Sequence, residues 1–194
     1  MRCPKQKNTE LVASKLDGDL KCSHCESCQG HWLSADDYET WRSQQEKPKK
    51  PLSGLDFDLE FQPSEYDAKA GLCPECGSYL ARTRIDLKQP FYLERCAGCG
   101  GMWLDRGEWE TIKKLNLHVV LPHVFSSQWQ IVMREMLQTE HERQAVIEKL
   151  GKDLAEQLFK LTDAIESHEH GDFAAAYIMR RFDRDKYLDL NLNS

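Results

Sequence analysis

The stretch Cys96–Glu110 reads C-A-G-C-G-G-M-W-L-D-R-G-E-W-E. Its two cysteines are separated by two residues and followed by glycines, a pattern that can wrap a tight turn around a metal ion. A second C-x2-C pair, Cys73 and Cys76, precedes this stretch across a gap of 19 residues. This arrangement fits the spacing of a structural zinc site with four cysteine ligands. We therefore predict one Zn²⁺ bound by Cys73, Cys76, Cys96 and Cys99.

The residues that follow the second cysteine pair predict the start of a helix. Trp103 and Leu104 supply apolar cover, and Asp105 with Glu108 three residues later matches a capping box. The segment between the two cysteine pairs carries β-branched and aromatic residues around a turn at 86–90. We therefore expect a short antiparallel hairpin that packs against this helix.

The N-terminal segment repeats the same module at an offset of 70 to 71 residues. The two copies share a Cys-Pro start, a C-x2-C pair, one glycine and a Trp-Leu pair. In the first copy these residues are Cys3, Pro4, Cys25, Cys28, Gly30, Trp32 and Leu33. Ser34 and Asp37 take the capping-box positions, so a short helix should follow them. The sequence thus predicts two tandem copies of one module.

The first copy lacks one ligand of the second copy. Gln6 stands where the second copy has Cys76, and a neutral amide is a poor zinc ligand. Because side chains alternate along a strand, His24 should point away from the face of Cys25. We therefore favour Cys22 as the substitute ligand, although Cys22 can reach the site only if the strand bends. The resulting four-thiolate site consists of Cys3, Cys22, Cys25 and Cys28. A His24 ligand and a three-thiolate site with a buried Cys22 remain alternatives, and either way we expect two Zn²⁺ per chain.

The composition of the remaining segments sets the domain boundaries. The segment S-Q-Q-E-K-P-K-K-P is typical of a linker, and the alternation of apolar and acidic residues at 55–61 predicts a strand. In the C-terminal part, apolar residues at three- and four-residue steps predict one long helix or two helices that break near Gly151, then a shorter helix from Asp172. We expect a small metal-bound α+β architecture: zinc ribbons at 1–42 and 71–118, a linker at 43–70, and an α-helical region at 119–190.

Charge and cysteine content narrow the class of protein. The 194-residue chain has a formal net charge of -6 and a pI near 5.7, which count against a polyphosphate as the main partner. The N-terminal M-R-C-P-K does not resemble a secretory leader, and no apolar run approaches the ~20 residues that span a bilayer. We expect a cytoplasmic protein without a membrane segment, because paired cysteines in that reducing compartment bind metal more often than they form disulfides.

With these residues identified, the second copy resembles the transcription factor zinc-finger family of prokaryotic proteins, the transcription factor IIB-type zinc ribbon. The matching pattern runs from Cys73 to Glu108 as C-P-x-C-G and then C-x2-C-G-G-x-W-L-D-x-G-E. The first copy resembles the family less closely, because Gln6 replaces a ligand and residues 34–37 depart from D-x-G-E. The resemblance covers about half of the chain. It implies small zinc-binding ribbons and, through the family's name, a role in transcription.

The sequence shows no catalytic constellation, since it has neither a nucleophile elbow nor a glycine-rich phosphate loop. We interpret the chain as a non-enzymatic zinc-binding adaptor or regulator that docks on a protein partner, with self-association through the helical tail as a further expectation. The alternative is a nucleic-acid-binding regulator that uses the basic residues of the second hairpin: Arg82, Arg84, Lys88 and Arg95. A third interpretation is a rubredoxin-like electron carrier with iron at the four-cysteine site.

Overall fold

A computed structural model describes residues 1–46 and 59–191, and the chain divides into one unit from Met1 to Arg134 and a second that begins at Glu135. The first unit contains a six-stranded antiparallel sheet. Its strands are β1 (Val12–Leu16), β2 (Leu20–His24), β3 (His31–Leu33), β4 (Leu80–Ile85), β5 (Phe91–Cys96) and β6 (Met102–Leu104). The helices of the chain are α1 (Ala35–Ser43), α2 (Glu108–Lys114), α3 (Leu121–Val124), α4 (Ser127–Leu150), α5 (Lys152–Glu166) and α6 (Gly171–Asn191).

Each copy of the repeat forms the predicted hairpin and short helix. β1 and β2 pair without interruption along all five residues of each strand, and their turn contains Asp17 and Gly18, both at positive φ. Glycine adopts that backbone conformation at no steric cost, which favours a tight turn at this point. β4 and β5 pair along all six residues of each strand. The hairpin of each ribbon is therefore confirmed.

The two ribbons form one sheet, which the sequence did not predict. β3 of the first ribbon pairs antiparallel with β6 of the second, so that Trp32 lies opposite Trp103. The strand order is β1-β2-β3-β6-β5-β4, which places the two copies back to back around the central pair. The repeat in the sequence thus becomes an approximate two-fold relation in the sheet.

The helix after β3 begins where the sequence predicts, directly after Ser34, whereas α2 begins at Glu108 with Gly107 as its N-cap, two residues beyond the predicted cap Asp105. In α1 the Asp37 backbone N–H donates to Ser34 Oγ at 3.1 Å, as an N-cap requires. At α2 only half of the predicted capping box forms: Glu108 Oε2 accepts from the Asp105 backbone N–H at 2.7 Å. The Asp105 carboxylate instead accepts from Trp103 Nε1 at 2.7 Å. This aspartate therefore links the helix start to the central strand.

Helices α1 and α2 also join the two ribbons. The Trp41 and Trp109 rings meet edge to face with their centroids 5.6 Å apart. The Tyr38 hydroxyl donates to the His118 carbonyl at 2.8 Å and accepts from the Leu121 backbone N–H at 3.2 Å. Tyr38 is 1% exposed, so this link lies in the core. The two ribbons thus share a sheet and a helical layer.

Of the two arrangements expected for the helical tail, the structure has two helices with a break at Gly151. α4 ends immediately before Gly151, whose φ is 78°, and α5 begins immediately after it. α6 begins one residue before the expected Asp172 and is longer than predicted, at 21 residues. The strand expected at 55–61 lies mostly outside the described residues, and its described part, 59–61, is not a strand. Among the described helices, none combines the length and apolar character that a bilayer crossing requires.

Candidate metal centres

The second ribbon brings its four predicted ligands together. The sulfur atoms of Cys73, Cys76, Cys96 and Cys99 all lie within 4.8 Å of one another. Cys73 Sγ lies 3.5 Å from Cys99 Sγ, and Cys76 Sγ lies 3.4 Å from Cys96 Sγ. A zinc ion at about 2.3 Å from each sulfur requires tetrahedral sulfur–sulfur distances of about 3.8 Å. The four thiols therefore fit a closed, tetrahedral zinc site.

Backbone donors orient the sulfur atoms of this site. The Cys76 backbone N–H donates to Cys73 Sγ, and the Cys99 N–H donates to Cys96 Sγ, each at 3.5 Å. Such bonds favour the thiolate, the form that binds metal. The hydroxyl of Ser78 acts in the same direction and, as the largest contribution, lowers the pKa of Cys76 to about 6. Burial raises the pKa of Cys73 and of Cys99, so a metal ion must displace the protons of these two thiols when it binds.

The first ribbon assembles three cysteines rather than four. Cys3, Cys25 and Cys28 are buried, and their sulfur atoms lie within 4.8 Å of one another. Cys3 Sγ lies 3.6 Å from Cys28 Sγ, a separation similar to those in the second site. The hydrogen bond between these two groups lowers the pKa of the Cys3 thiol to about 6. The three thiols fit three of the four positions around a zinc ion.

The structure places the predicted fourth ligand elsewhere, and so differs from the expectation for Cys22. β2 stays regular through His24, so the bend that would turn Cys22 towards Cys25 does not occur. Cys22 instead pairs with Ser14 of β1 and lines a surface cavity of about 550 Å³. His24 also lies outside the cysteine cluster and stacks on His31 with the ring centroids 4.6 Å apart. Strand alternation, which argued against His24, places Cys22 on the wrong face as well.

Both metal centres belong to one core in which the ribbons exchange tryptophans. The Trp32 ring lies against Gly101 of the second ribbon, and the Trp103 ring lies against Gly30 of the first. A Cβ atom at either glycine would overlap the facing ring. Trp32 and Trp103 pack with cysteines of both sites in a single buried cluster. Each tryptophan therefore covers the cysteine turn of the other copy, a partnership that the sequence alone did not show.

The magnitude of this exchange is comparable to that of a bound metal. Each indole is 1% exposed. Burying about 200 Å² per ring at about 25 cal/mol per Å² stabilises by at most about 5 kcal/mol for each tryptophan. The two rings together thus contribute at most about 10 kcal/mol, which reaches the lower end of the apparent 10–16 kcal/mol for a structural zinc ion.

The residue that follows Cys-Pro in each ribbon also contacts the opposite ribbon. Lys5 is buried, and its Nζ donates to Glu94 Oε1 at 2.7 Å and to the Lys69 carbonyl at 2.6 Å. Glu75, at the equivalent position of the second copy, accepts from Trp32 Nε1 at 3.0 Å. Lys5 of the first ribbon and Glu75 of the second therefore each contact the other ribbon, and the two residues carry opposite charges. This pair was not predicted, although the opposite charges of Lys5 and Glu75 at one position of the repeat were the available signal.

Buried carboxylates surround the Lys5 ammonium group. Asp67, Asp105 and Glu108 bring carboxylate oxygens within 4.8 Å of one another, and Asp105 Oδ2 lies 3.8 Å from Lys5 Nζ. Asp67 accepts from a backbone N–H, and Asp105 accepts from Ser64 Oγ at 3.0 Å. Burial raises the pKa of Glu108 well above its usual range. These donors and the lysine indicate an internal ionic network that joins the ribbons.

The basic residues predicted to bind nucleic acid already have contacts within the ribbon. Arg82 donates to the Asp67 carbonyl, stacks on the Tyr92 ring, and lies 3.4 Å from Glu94. Arg84 Nε pairs with Asp86 at 2.6 Å, and Lys88 Nζ lies 3.8 Å from Glu60 Oε1. Arg95 contacts the Gly100 carbonyl and the Phe125 ring. The structure therefore disperses the four residues among intramolecular partners.

Comparison with known proteins agrees with this geometry. Residues 2–44 and 72–115 match the family model described as Transcription factor zinc-finger, the TFIIB-type zinc ribbon. The matched segments are the two ribbons, and together they cover slightly less than half of the chain. Searches of curated proteins and of solved structures gave no match.

The sequence resemblance is thereby confirmed for both copies. The protein contains two tandem TFIIB-type zinc ribbons followed by an α-helical region. The family and the two cysteine clusters identify two Zn²⁺ sites, one of four cysteines and one of three. All eight cysteines lie in the described part of the chain, and none forms a disulfide.

Proposed function

We propose that this protein is a non-enzymatic zinc-binding adaptor or regulator, and that it docks on a protein partner through its helical tail. The observation that carries the proposal is the exposure of large apolar side chains on the tail helices. Residues that are 37% to 74% exposed there are Leu154, Leu158, Leu161, Phe173, Tyr177, Ile178, Met179 and Phe182.

The leucines of α5 form a continuous face rather than scattered exposed positions. Leu154, Leu158 and Leu161 follow one another at steps of four and three residues, which places them on one side of a helix. The exposed residues of α6 add further large apolar side chains that the described residues leave uncovered. Exposed apolar patches of this kind mark protein–protein interaction sites.

The ribbons support a structural rather than a catalytic use of zinc. Four thiolates at the second site leave no coordination position for a water molecule, so the ion there contributes folding energy. The zinc-ribbon family is typically non-enzymatic. Internal contacts with Glu94 and the Tyr92 ring occupy Arg82 of the basic hairpin, which supports a protein partner. We place the protein in the cytoplasm, where paired thiols remain available for metal.

The family description directs the search for a partner to the transcription apparatus. The test compares proteins captured from the native cell by three forms of the full chain. The first is wild type, and the second is Leu154→Glu with Leu158→Glu, which charges the apolar face. The third is Lys160→Glu, which makes the same change of two charge units on the polar side of α5 and serves as the matched control.

We expect the same partner protein with wild type and with Lys160→Glu, and its loss with the double leucine variant. Light scattering on the purified chains shows whether the apolar face instead binds a second copy, in which case wild type is a dimer and the double variant a monomer. A monomeric wild type whose captured proteins are unaffected by the leucine changes would refute docking through this face.

A further inference from the structure

We infer that the zinc site of the first ribbon has three protein ligands and one position open to an exogenous ligand, and that its metal is therefore exchangeable while that of the second ribbon is not. The ligand that fits is water or a small thiol, since Zn²⁺ accepts both oxygen and sulfur donors. The inference rests on the identification of zinc, and is independent of docking by the helical tail.

Gln6 and Cys76 follow the first cysteine of their ribbons at the same spacing. The Gln6 backbone N–H donates to Cys3 Sγ at 3.3 Å, just as the Cys76 N–H donates to Cys73 Sγ at 3.5 Å. The N–H to sulfur bond is therefore shared by both ribbons, although the turn of the first is one residue longer: the Cys3 N–H donates to the Thr9 carbonyl, and the Cys73 N–H to that of Ser78. The residue at the fourth ligand position is Gln6 in the first ribbon and Cys76 in the second. The amide of Gln6 is neutral and a poor match for zinc beside three thiolates.

The described residues supply no substitute for the missing fourth zinc ligand. Among the described residues, no histidine, cysteine or carboxylate joins Cys3, Cys25 and Cys28 within the 4.8 Å that defines the cluster. Cys22 and His24, the two candidates that the sequence offered, lie on a regular strand that directs them elsewhere. A zinc ion with three protein ligands takes its fourth ligand from outside the chain.

Contacts with the second ribbon allow the first ribbon to fold with an incomplete zinc site. Its central strand pairs with β6, and its Trp32 is buried against Gly101 of the second ribbon. Lys5, next to Gln6, is held by Glu94 of β5. These contacts do not depend on a fourth ligand at the first site. The first ribbon can therefore lose or exchange its metal without unfolding, whereas the second ribbon holds its ion through the additional thiolate of Cys76.

The experiment follows zinc release from the purified full chain into a chromogenic chelator, with circular dichroism recorded in parallel. We expect one zinc to leave at least about tenfold faster than the other, because even changes outside the ligand shell cost that much affinity. The fast step should leave the circular dichroism unchanged, and the slow step should accompany unfolding.

Two variants decide where the fourth ligand comes from. Gln6→Cys restores the residue type of the second ribbon, so both ions should leave at the slow rate. Cys22→Ser is the control and should leave both rates and the stoichiometry unchanged. Loss of one zinc or altered release in Cys22→Ser would overturn the inference in favour of a fourth cysteine ligand. Equal, slow release of both ions from wild type would overturn it as well.

Absorption spectra of the chain loaded with Co²⁺ in place of Zn²⁺ test directly for the open coordination position. Charge-transfer absorption of the Co²⁺-loaded chain should correspond to seven thiolates in wild type and eight in Gln6→Cys. Added 2-mercaptoethanol should change the spectrum of wild type and leave that of Gln6→Cys unaltered. A wild-type spectrum with eight thiolates, or one that does not respond to the added thiol, would contradict an open coordination position.

Discussion

Replacing Gly101 by alanine should destabilise both ribbons, although the substitution is a single methyl group. A Cβ at this position would overlap the Trp32 ring of the other copy. That ring is 1% exposed and lies opposite Trp103 in the central strand pair, so it has no free space to move into. The strain therefore acts on the contact that joins the two copies.

The expected loss follows from the cost of overpacking a full core. Extra methylenes in a well-packed interior typically cost 1–3 kcal/mol, and the close overlap with a fully buried ring places this one at about 3 kcal/mol. For a unit of this size, about 3 kcal/mol lowers the midpoint of thermal unfolding by roughly 10 °C. Gly30→Ala should have a similar effect, because its Cβ would overlap Trp103 in the equivalent way.

Thermal unfolding of the zinc-loaded full chain, followed by tryptophan fluorescence, measures this loss. Gly98→Ala is the matched control, because it lies in the same cysteine turn and its Cβ would meet neighbouring sulfur atoms at an ordinary 3.7 Å. We expect the control to stay within about 1 °C of wild type, as for a substitution without a clash. Equal midpoints for Gly101→Ala and Gly98→Ala would refute the exchange of tryptophans between the ribbons.

Three further predictions concern the ion network, the closed site and the basic hairpin. Lys5→Met should cost about 3 kcal/mol in urea unfolding at pH 8, because it removes the nearest cation from the buried Glu94 and leaves only Arg82, 3.4 Å away, as a partner. Burial raises the pKa of Glu94 to about 7, and loss of Lys5 raises it further. The loss of unfolding free energy in Lys5→Met should therefore grow as pH rises from 6 to 8, because the variant then has to ionise a carboxyl group with a higher pKa. A loss that is independent of pH would contradict this. Cys76→Ser should unfold the second ribbon because metal binding there is coupled to folding, and a variant that keeps two zinc ions and the wild-type midpoint would exclude that coupling. Duplex DNA and single-stranded RNA should not bind at low salt, whereas binding that weakens steeply with added salt would indicate the nucleic-acid alternative.

The four-cysteine site and the helix break were predictable because their signals are local. Ligand spacing alone determines which side chains can surround one ion, and Cys73 to Cys99 follow that spacing closely. Gly151 ended one helix and began another as its position in the apolar pattern indicated. Ser34 likewise capped α1 as expected.

The union of the ribbons was not predicted, because it depends on which distant strands meet. β3 and β6 are three residues long, too short for a periodic signal. The available clue was the G-x-W pattern at Gly30–Trp32 and Gly101–Trp103. Residues two apart share one face of a strand, so each strand presents a bulky ring beside a gap. Antiparallel pairing centred on the two tryptophans fills each gap with the opposite ring.

The position of Cys22 shows the limit of counting ligands. Four cysteines in the first copy matched the number that structural zinc prefers, and that count outweighed the geometry of the strand. The unbroken ladder between β1 and β2 keeps Cys22 beside Ser14, away from Cys25. Residue type and spacing thus identified the three ligands that lie in turns, and failed for the cysteine within a strand.

Native mass spectrometry of the purified full chain tests the central claim most directly, because it counts metal ions and reports the redox state of the thiols in one mass. The account predicts a chain that carries two zinc ions, with all eight cysteines reduced. A compactly folded chain that carries no metal, or whose mass shows cysteines joined in disulfides, would contradict it.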